Sequence, residues 1–383
     1  MSNFSAVAPS LGYYYQIKYS LYLMVVKNHD EKGVVIEGID DIVLLNNDQT
    51  DLYQSKFQIN GEGSLTDRSP DFWKTIRVWC EGIVDNSINP LKTKFAIVTT
   101  GKCAENSIIG KFIKDRNTLN QTINDLNLIA TEVSNQTNIK GYTAWNNQSK
   151  LIKTTILSNL EIIDQSLDFS VIDDELKRNM RLHILPEHID AFYDRLSGWW
   201  FNCCINQLTD SNQTPILFTE LRKYMNELSL SFKLDTLPID FIKPLEISDE
   251  DKLSSEQYTF VKQLELIAVN TKTLRNAISD YRRAFAQRAA WVREDLLQPS
   301  EEDRYEATIF EDWKALFDLM DEDEDDSVNS IAGKVFYEDY YVKRIPPIYI
   351  RDKVRNPFLF RGSSHILANT KKIGWHPKYK DYV

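Results

Sequence analysis

At 383 residues and 42% apolar composition, the chain exceeds what one hydrophobic core usually organises and supplies enough apolar surface for two. Its four cysteines, Cys80, Cys103, Cys203 and Cys204, form no C-x-x-C pair and meet no histidine at finger spacing, which argues against a disulfide framework and a structural zinc and fits a reducing compartment. The net charge of −11 speaks against a nucleic-acid partner, but residues 1–150 hold 15 basic and 16 acidic side chains, so −10 of it belongs to residues 151–383.

The N-terminus has no basic segment leading into an apolar run, and the longest apolar-rich stretch, near Tyr19 to Val26, is too short for a bilayer, so a soluble cytoplasmic protein without membrane contact is expected. An aromatic-rich helix is predicted around Tyr13 to Lys27. Three short β-like runs follow, Val34 to Gly38, Asp41 to Asn46 and Asp51 to Ile59. Ser69-Pro70 reads as an N-cap with proline at the first helical position, ahead of Phe72, Ile76, Trp79 and Ile83 at helical spacing. Lys94 to Thr100 reads as a buried strand because its core is apolar and β-branched without alternation. This order of elements predicts a small α/β domain over 1–150.

Beyond residue 150 strand signals nearly vanish, and a helical domain is expected over 175–383. Ile189, Phe192, Tyr193, Leu196, Trp199, Trp200 and Cys203 mark one apolar helix face; Phe218, Leu221, Met225, Leu228 and Phe232 mark a second. Ser254-Ser-Glu-Gln257 reads as a capping box, and Phe260, Leu264, Ile267, Thr271, Leu274, Ile278, Tyr281 and Phe285 then step by fours and threes. That spacing predicts one coiled-coil helix from Ser255 to about Leu296, packed on another helix of this chain or of a copy. The acidic run Asp321 to Asp326 predicts a solvated loop or hinge, and the tail from Arg344 to Val383 is apolar enough to pack.

The candidate chemistry lies in Glu37-Gly-Ile-Asp-Asp41 and Tyr53-Gln-Ser-Lys56. Strand alternation puts Gln54 and Lys56 on one face, and a hairpin turning near Asn47 to Gln49 sets Asp41 roughly across from residue 55. A carboxylate, an amide and an ammonium then converge at a sheet end. Phosphodiester hydrolysis uses such parts: carboxylates hold Mg²⁺ (or Mn²⁺), which polarises the phosphoryl oxygen and lowers the pKa of bound water. Lys56 would orient the attacking water and offset developing charge, Gln54 sits where many such sites carry a second acid, and Glu37 or Asp40 would complete the metal shell around Asp41. The bland alternative for this pattern is a charged pair on a solvated edge strand.

Other polar features carry less. His365 and His376 with Ser363 or Ser364 lack a nucleophile elbow and a nearby acid, so they read as packing residues. Trp199-Trp200 falls on an apolar stripe and reads as core. Thr99-Thr-Gly-Lys102 lacks the leading glycine and the Lys-Ser/Thr pair of a phosphate loop. Lys102, Lys111, Lys114 and Arg116 read equally as a DNA-facing group or a solvated helix.

Residues 10 to 145 resemble the PD-(D/E)XK-type double-stranded-DNA endonuclease domains attached to bacterial anti-phage and anti-plasmid effectors. The matching segments are Gly12-Tyr-Tyr-Tyr-Gln16, Ile36-Glu-Gly-Ile-Asp-Asp-Ile42, Gln54-Ser-Lys56 and Ser69-Pro-Asp-Phe-Trp-Lys-Thr75. The resemblance implies a restriction-endonuclease-like core with Asp41, Gln54 and Lys56 as reacting residues and Gln16 among the DNA contacts. It departs from the fuller motif at Gln54, which replaces an acid and leaves fewer metal-binding carboxylates. Residues from about 180 to 383 are similar to the helical C-terminal domain of effectors in three-component systems built around an SMC-like ATPase, the group called Lamassu. That likeness rests on Leu196-Ser-Gly-Trp-Trp200, Asp235-Thr-Leu-Pro-Ile-Asp-Phe241, Arg361-Gly-Ser-Ser-His-Ile-Leu367 and Gly374-Trp-His-Pro377. It implies the nuclease subunit of such a system, docked on the ATPase and a small accessory subunit, with self-association of released subunits switching cutting on. The rival expectations are a catalytically inactive scaffold or DNA-binding subunit of the same kind of complex, and a helical adaptor whose heptad segment carries the function.

Overall fold

The computed structural model describes residues 7–27, 33–46, 48–58, 64–181, 184–233 and 235–382. The chain forms two compact units, Met1–Leu185 with Ile189–Glu227, and Pro186–His188 with Leu228–Val383.

The first unit opens with helix α1 (Val7–Tyr22), extended by one π-helical turn over Leu23–Lys27. Strands β1 (Gly33–Ile36), β2 (Ile42–Leu45) and β3 (Thr50–Lys56) then form an antiparallel meander, with Ile36 opposite Ile42 and Ile42 opposite Tyr53. After β4 (Ser64–Leu65), helix α2 (Pro70–Val84) carries the chain to β5 (Thr93–Thr99), which lies parallel to β3 with Lys56 opposite Thr99. Ser69 does stand at the N-cap of α2 with Pro70 behind it, although its hydroxyl makes no capping bond. The predicted spacing of Phe72, Ile76 and Trp79 buries all three under the sheet, and Trp79 meets Phe95 of β5 at 4.8 Å between ring centroids.

Further along come β6 (Lys102–Cys103), α3 (Ile108–Lys114), α4 (Leu119–Ile129), α5 (Ile139–Asn146) and α6 (Lys150–Ser158). Gly141 lets α5 lie on α2, since a Cβ there would stand 2.5 Å from the Trp73 carbonyl oxygen. Strand β7 (Leu160–Ile163) pairs parallel with β5, and after α7 (Phe169–Met180) and α8 (Ile189–Thr209) strand β8 (Ile216–Leu217) pairs antiparallel with β1. The sheet order is therefore β7-β5-β3-β2-β1-β8. Helix α9 (Phe218–Leu230) follows.

These later elements move the boundary. The sequence changes character near residue 150, but the unit continues to Glu227 because α7 and α8 pack on α1. The Trp200 indole donates to the Ile17 carbonyl at 3.0 Å and to the Ser20 hydroxyl at 3.1 Å, and the Gln207 amide oxygen accepts the Ile36 backbone N–H at 3.1 Å. Trp200 is core, as its stripe implied. Trp199 is half-buried and stacks on Tyr224 at 4.4 Å.

In the second unit, α10 (Asp249–Ser255) begins with a capping box formed by Ser248 and Asp251, six residues ahead of the expected one. The single helix expected from Ser255 to Leu296 is two. Helix α11 (Thr259–Leu266) stops where Ala268 turns left-handed at φ 51°, and α12 (Thr271–Arg293) starts from Asn270, whose side chain caps the Thr273 N–H. The apolar heptad positions Phe260, Leu264, Ile267, Leu274, Ile278 and Tyr281 are buried in one core with Trp313 and Trp375 while Thr271 is exposed, so the pattern reports a bent helix pair around a globular core and not an extended supercoil. Then come α13 (Pro299–Phe317), α14 (Asp326–Tyr337), a π-helical extension over Glu338–Lys343, α15 (Pro357–Asn369) and the short α16 (Tyr379–Tyr382). Asp321 to Asp325 form the exposed loop before α14, and the tail is ordered and packed. Helices α12 and α15 meet at Gly362, where a Cβ would stand 2.2 Å from the Asp280 carbonyl oxygen. His365 and His376 are both buried in this unit. Among the described residues, no helix is long and apolar enough to cross a membrane.

Candidate functional site

Three parts of the first unit converge at the C-terminal ends of β1 and β3. The loop between β1 and β2 begins with Glu37 at φ 52°, a left-handed conformation uncommon outside glycine, and closes through the Glu37 N–H donating to the Asp41 carbonyl at 2.9 Å. From β3, the Ser55 N–H and hydroxyl both donate to the Asp41 carboxylate, at 2.8 and 3.0 Å. The expected facing of Asp41 and residue 55 is therefore a direct contact. Helix α2 begins beside Lys56, whose Nζ lies 3.8 Å from the Asp71 carboxylate.

A cavity of about 450 Å³ opens there, lined by Gln16, Glu37, Asp41, Ser55 and Lys56 together with Asp71 and Lys74. Burial and then the neighbouring charge of Asp41 push the Glu37 carboxyl above its usual range, opposed by a hydrogen bond from Gln16 and by the charges of Lys56 and Lys74. The Gln16 amide NH₂ is thus committed to Glu37, and its Oε1 is left buried without a partner. Flipping the amide would set oxygen against carboxylate, so this orientation is fixed.

The residues expected to share the site do not all reach it. Glu37, Asp41 and Lys56 line the cavity, but Asp40 and Gln54 do not. The Asp40 carboxylate turns beneath α2 and accepts the Trp79 indole N–H at 2.7 Å, and burial raises it to about 7. Gln54, on the Lys56 face of β3 as alternation requires, is buried two residues deeper, where its oxygen lies 3.4 Å from the Thr75 hydroxyl. Lys56 clears the sheet because it ends the strand and its stem is long. Sequence reasoning missed Ser55, Asp71 and Lys74; the last two sit in the first turns of a helix whose start was legible at Ser69-Pro70, and that was the available signal.

The basic group beyond β5 is largely spent within the protein. Lys102 and Lys114 share Glu105, at 2.9 and 3.6 Å, and Arg116 donates to the Leu160 carbonyl at 2.7 Å while covering the Phe112 ring. Lys111 is exposed. Gln16 lines the cavity itself.

Two carboxylates and an amide oxygen without a partner form a hard donor set that fits one Mg²⁺ completed by water. A cation between Glu37 and Asp41 would also relieve the crowding that raises Glu37. Among the described residues no group of three histidine, cysteine or acidic side chains is placed to hold a metal, so the set does not extend to a second carboxylate-rich pole.

Residues 260–383 match the family model of C-terminal domain 7 of the ABC-three component (ABC-3C) systems. No curated protein matches the chain. Among solved structures, it is similar to the Cap4 SAVED/CARF-domain containing receptor of Acinetobacter baumannii at 14% identity and a TM-score of 0.34, over 74% of this chain and 61% of that one. The corresponding receptor of Moraxella osloensis matches at 14% identity and a TM-score of 0.34, over 64% of this chain and 57% of that one. The chain thus spans about three fifths of the length of these structures.

Proposed function

We propose that this chain, a component of an ABC-3C anti-phage defence system by its C-terminal domain, is a metal-dependent endonuclease acting on double-stranded DNA. The observation that carries this reading is the meeting of Glu37, Asp41 and Lys56 in one cavity at the ends of β1 and β3. The order helix, three-stranded meander, helix, parallel strand also agrees with a restriction-endonuclease-like core of the PD-(D/E)XK type.

Glu37, Asp41 and the Gln16 Oε1 would hold Mg²⁺, which when bound polarises a phosphoryl oxygen and acidifies water. Ser55 orients the Asp41 carboxylate by its two hydrogen bonds, leaving the remaining lone pairs for the cavity. Gln16 orients Glu37 in the same way. Lys56 brings positive charge to the scissile phosphate, positions the attacking water and stabilises the charge that develops on the phosphoryl oxygens. Asp71, at 3.8 Å, keeps the ammonium at the cavity wall. Within the larger system we assign restraint to partner subunits, an SMC-like ATPase and a small accessory protein as in Lamassu, with release or self-association permitting cleavage.

The test compares purified wild type with Lys56→Ala and Asp41→Asn on plasmid DNA, with Mg²⁺ and with chelator. The expected result is cleavage by the wild type that requires the ion and falls about a hundredfold or more in each variant, with circular dichroism unchanged. A Lys56→Ala protein that still degrades plasmid would remove the assignment. A scaffold that binds DNA without cutting is the second reading, favoured by the withdrawal of Gln54 and Asp40 from the cavity. It predicts equal DNA binding with and without Mg²⁺ and no nicking.

A further inference from the structure

Helix α14 buries Gly333, Phe336 and Tyr337 against the second unit's core and turns Val328, Ile331 and Val335 outward. These three stand at i, i+3 and i+7, a continuous apolar stripe on one helix face. Ile331 is 66% exposed, and Leu319 before the helix is 77% exposed. Val342 and Ile345, further along the chain, are also exposed. Scattered exposed aliphatic side chains need no explanation, but a row of this length on one helix marks an interaction surface.

Charge indicates what covers it. Asp325 and Asp326 are accounted for within the fold: Asp325 caps α14, and Asp326 pairs with Lys378 at 3.2 Å. Asp321, Glu322 and Glu324 are exposed and have no ion-pair partner among the described residues. At the other end, Lys343 and Arg344 are already matched by Asp339 at 2.7 Å and Asp312 at 3.1 Å. On α14 itself Lys334 has no ion-pair partner among the described residues, so three carboxylates stand against one lysine and the net uncompensated charge beside the stripe is negative. A second copy meeting this face with its own α14 would bring three more carboxylates against one more lysine, and a nucleic acid would be repelled.

We propose that this face of α14 docks a basic amphipathic helix of a partner subunit, its apolar side on Val328, Ile331 and Val335 and its cations toward Asp321, Glu322 and Glu324. The surface lies wholly inside residues 260–383, the part matched to a domain of a three-component system. It stands independently of the nuclease reading.

The test uses the full chain and two labelled amphipathic peptides of about 18 residues with the same leucine stripe, one with lysines and one with glutamates on the polar face. Fluorescence anisotropy should show the lysine peptide binding about tenfold tighter or more, and weakening with salt. Ile331→Ser with Val335→Ser should reduce that binding about tenfold with an unchanged melting curve, because both side chains are exposed. Asp321→Asn, Glu322→Gln and Glu324→Gln together should remove the salt dependence. Equal binding of both peptides, or of the lysine peptide by wild type and serine variant, overturns the proposal. So does light scattering that shows a dimer abolished by the serine variant, since the occupant is then a second copy.

Discussion

Asp41 and Ser55 are joined by two hydrogen bonds to a single carboxylate oxygen, one from the backbone and one from the side chain. The contact binds the loop after β1 to the end of β3, so the acid serves the fold as well as the cavity. Asp41→Asn keeps an acceptor for the buried Ser55 N–H and should fold nearly as well as wild type while losing metal-dependent cleavage. Asp41→Ala strands that N–H and should cost about 1–3 kcal/mol besides. Chemical denaturation beside cleavage assays on both variants checks the separation; equal stability of the two would contradict it.

Lys74 lines the cavity, and no carboxylate lies within ion-pair distance of it among the described residues. Lys102 and Lys114 share Glu105. Lys74→Ala should therefore lower DNA affinity and reduce the slope of log K against log salt by about one, whereas Lys102→Ala or Lys114→Ala should change the slope less. Binding titrations over a salt series give all three slopes, and a larger change for Lys102→Ala would reverse the ranking.

His365 is packed against Phe260 and Trp375, and burial lowers its imidazole to about 4. The native state then binds the proton less readily than the unfolded chain, so this group's contribution to stability is complete above the ordinary histidine range. It is lost as pH falls from about 6.5 toward 4. Over that window wild type should lose up to about 1.4 kcal/mol per pH unit more than His365→Gln. Denaturant melts at pH 7, 6 and 5 measure it; parallel pH profiles would remove histidine burial as the cause.

Ala268 is exposed and left-handed at the break between α11 and α12. Ala268→Gly should stabilise by about 0.5–1 kcal/mol, because glycine adopts that conformation without steric cost. Asn270→Ala should destabilise by about 1 kcal/mol through loss of the Thr273 cap. Thermal melts of the two variants should shift in opposite directions.

Gly362→Ala inserts a methyl group 2.2 Å from the Asp280 carbonyl oxygen and 2.4 Å from the Ala284 Cβ. Helices α12 and α15 have to separate to admit it, at a cost of about 2 kcal/mol or more. A melting temperature within a degree of wild type would mean that the two helices yield freely.

The meander, the start of α2 and the buried strand β5 were legible because each rests on a local signal: β-branched runs, Ser69-Pro70, and apolar side chains at period 3.6. The facing of Asp41 and Ser55 followed from strand pairing alone. Asp40 was expected to help complete the metal shell around Asp41, because a loop has no periodicity to say that its carboxylate turns under α2. Gln54 and Lys56 share a face, but alternation does not report depth, and depth separates them. Strands β7 and β8 are only four and two residues long and are defined by what they pair with. The heptad spacing hid the break after Ile267, although Asn270-Thr-Lys-Thr273 carries a cap signal that outweighs it.

The two lateral boundaries of the six-stranded sheet come from distant chain, β7 beside β5 and β8 beside β1. A fragment truncated at residue 150 would uncover the flanks of β1 and β5, two rows of unsatisfied backbone groups ready to recruit other molecules into aggregates. Insolubility of such a fragment would therefore say nothing about its chemistry, and an excised N-terminal unit has to run at least to Glu227.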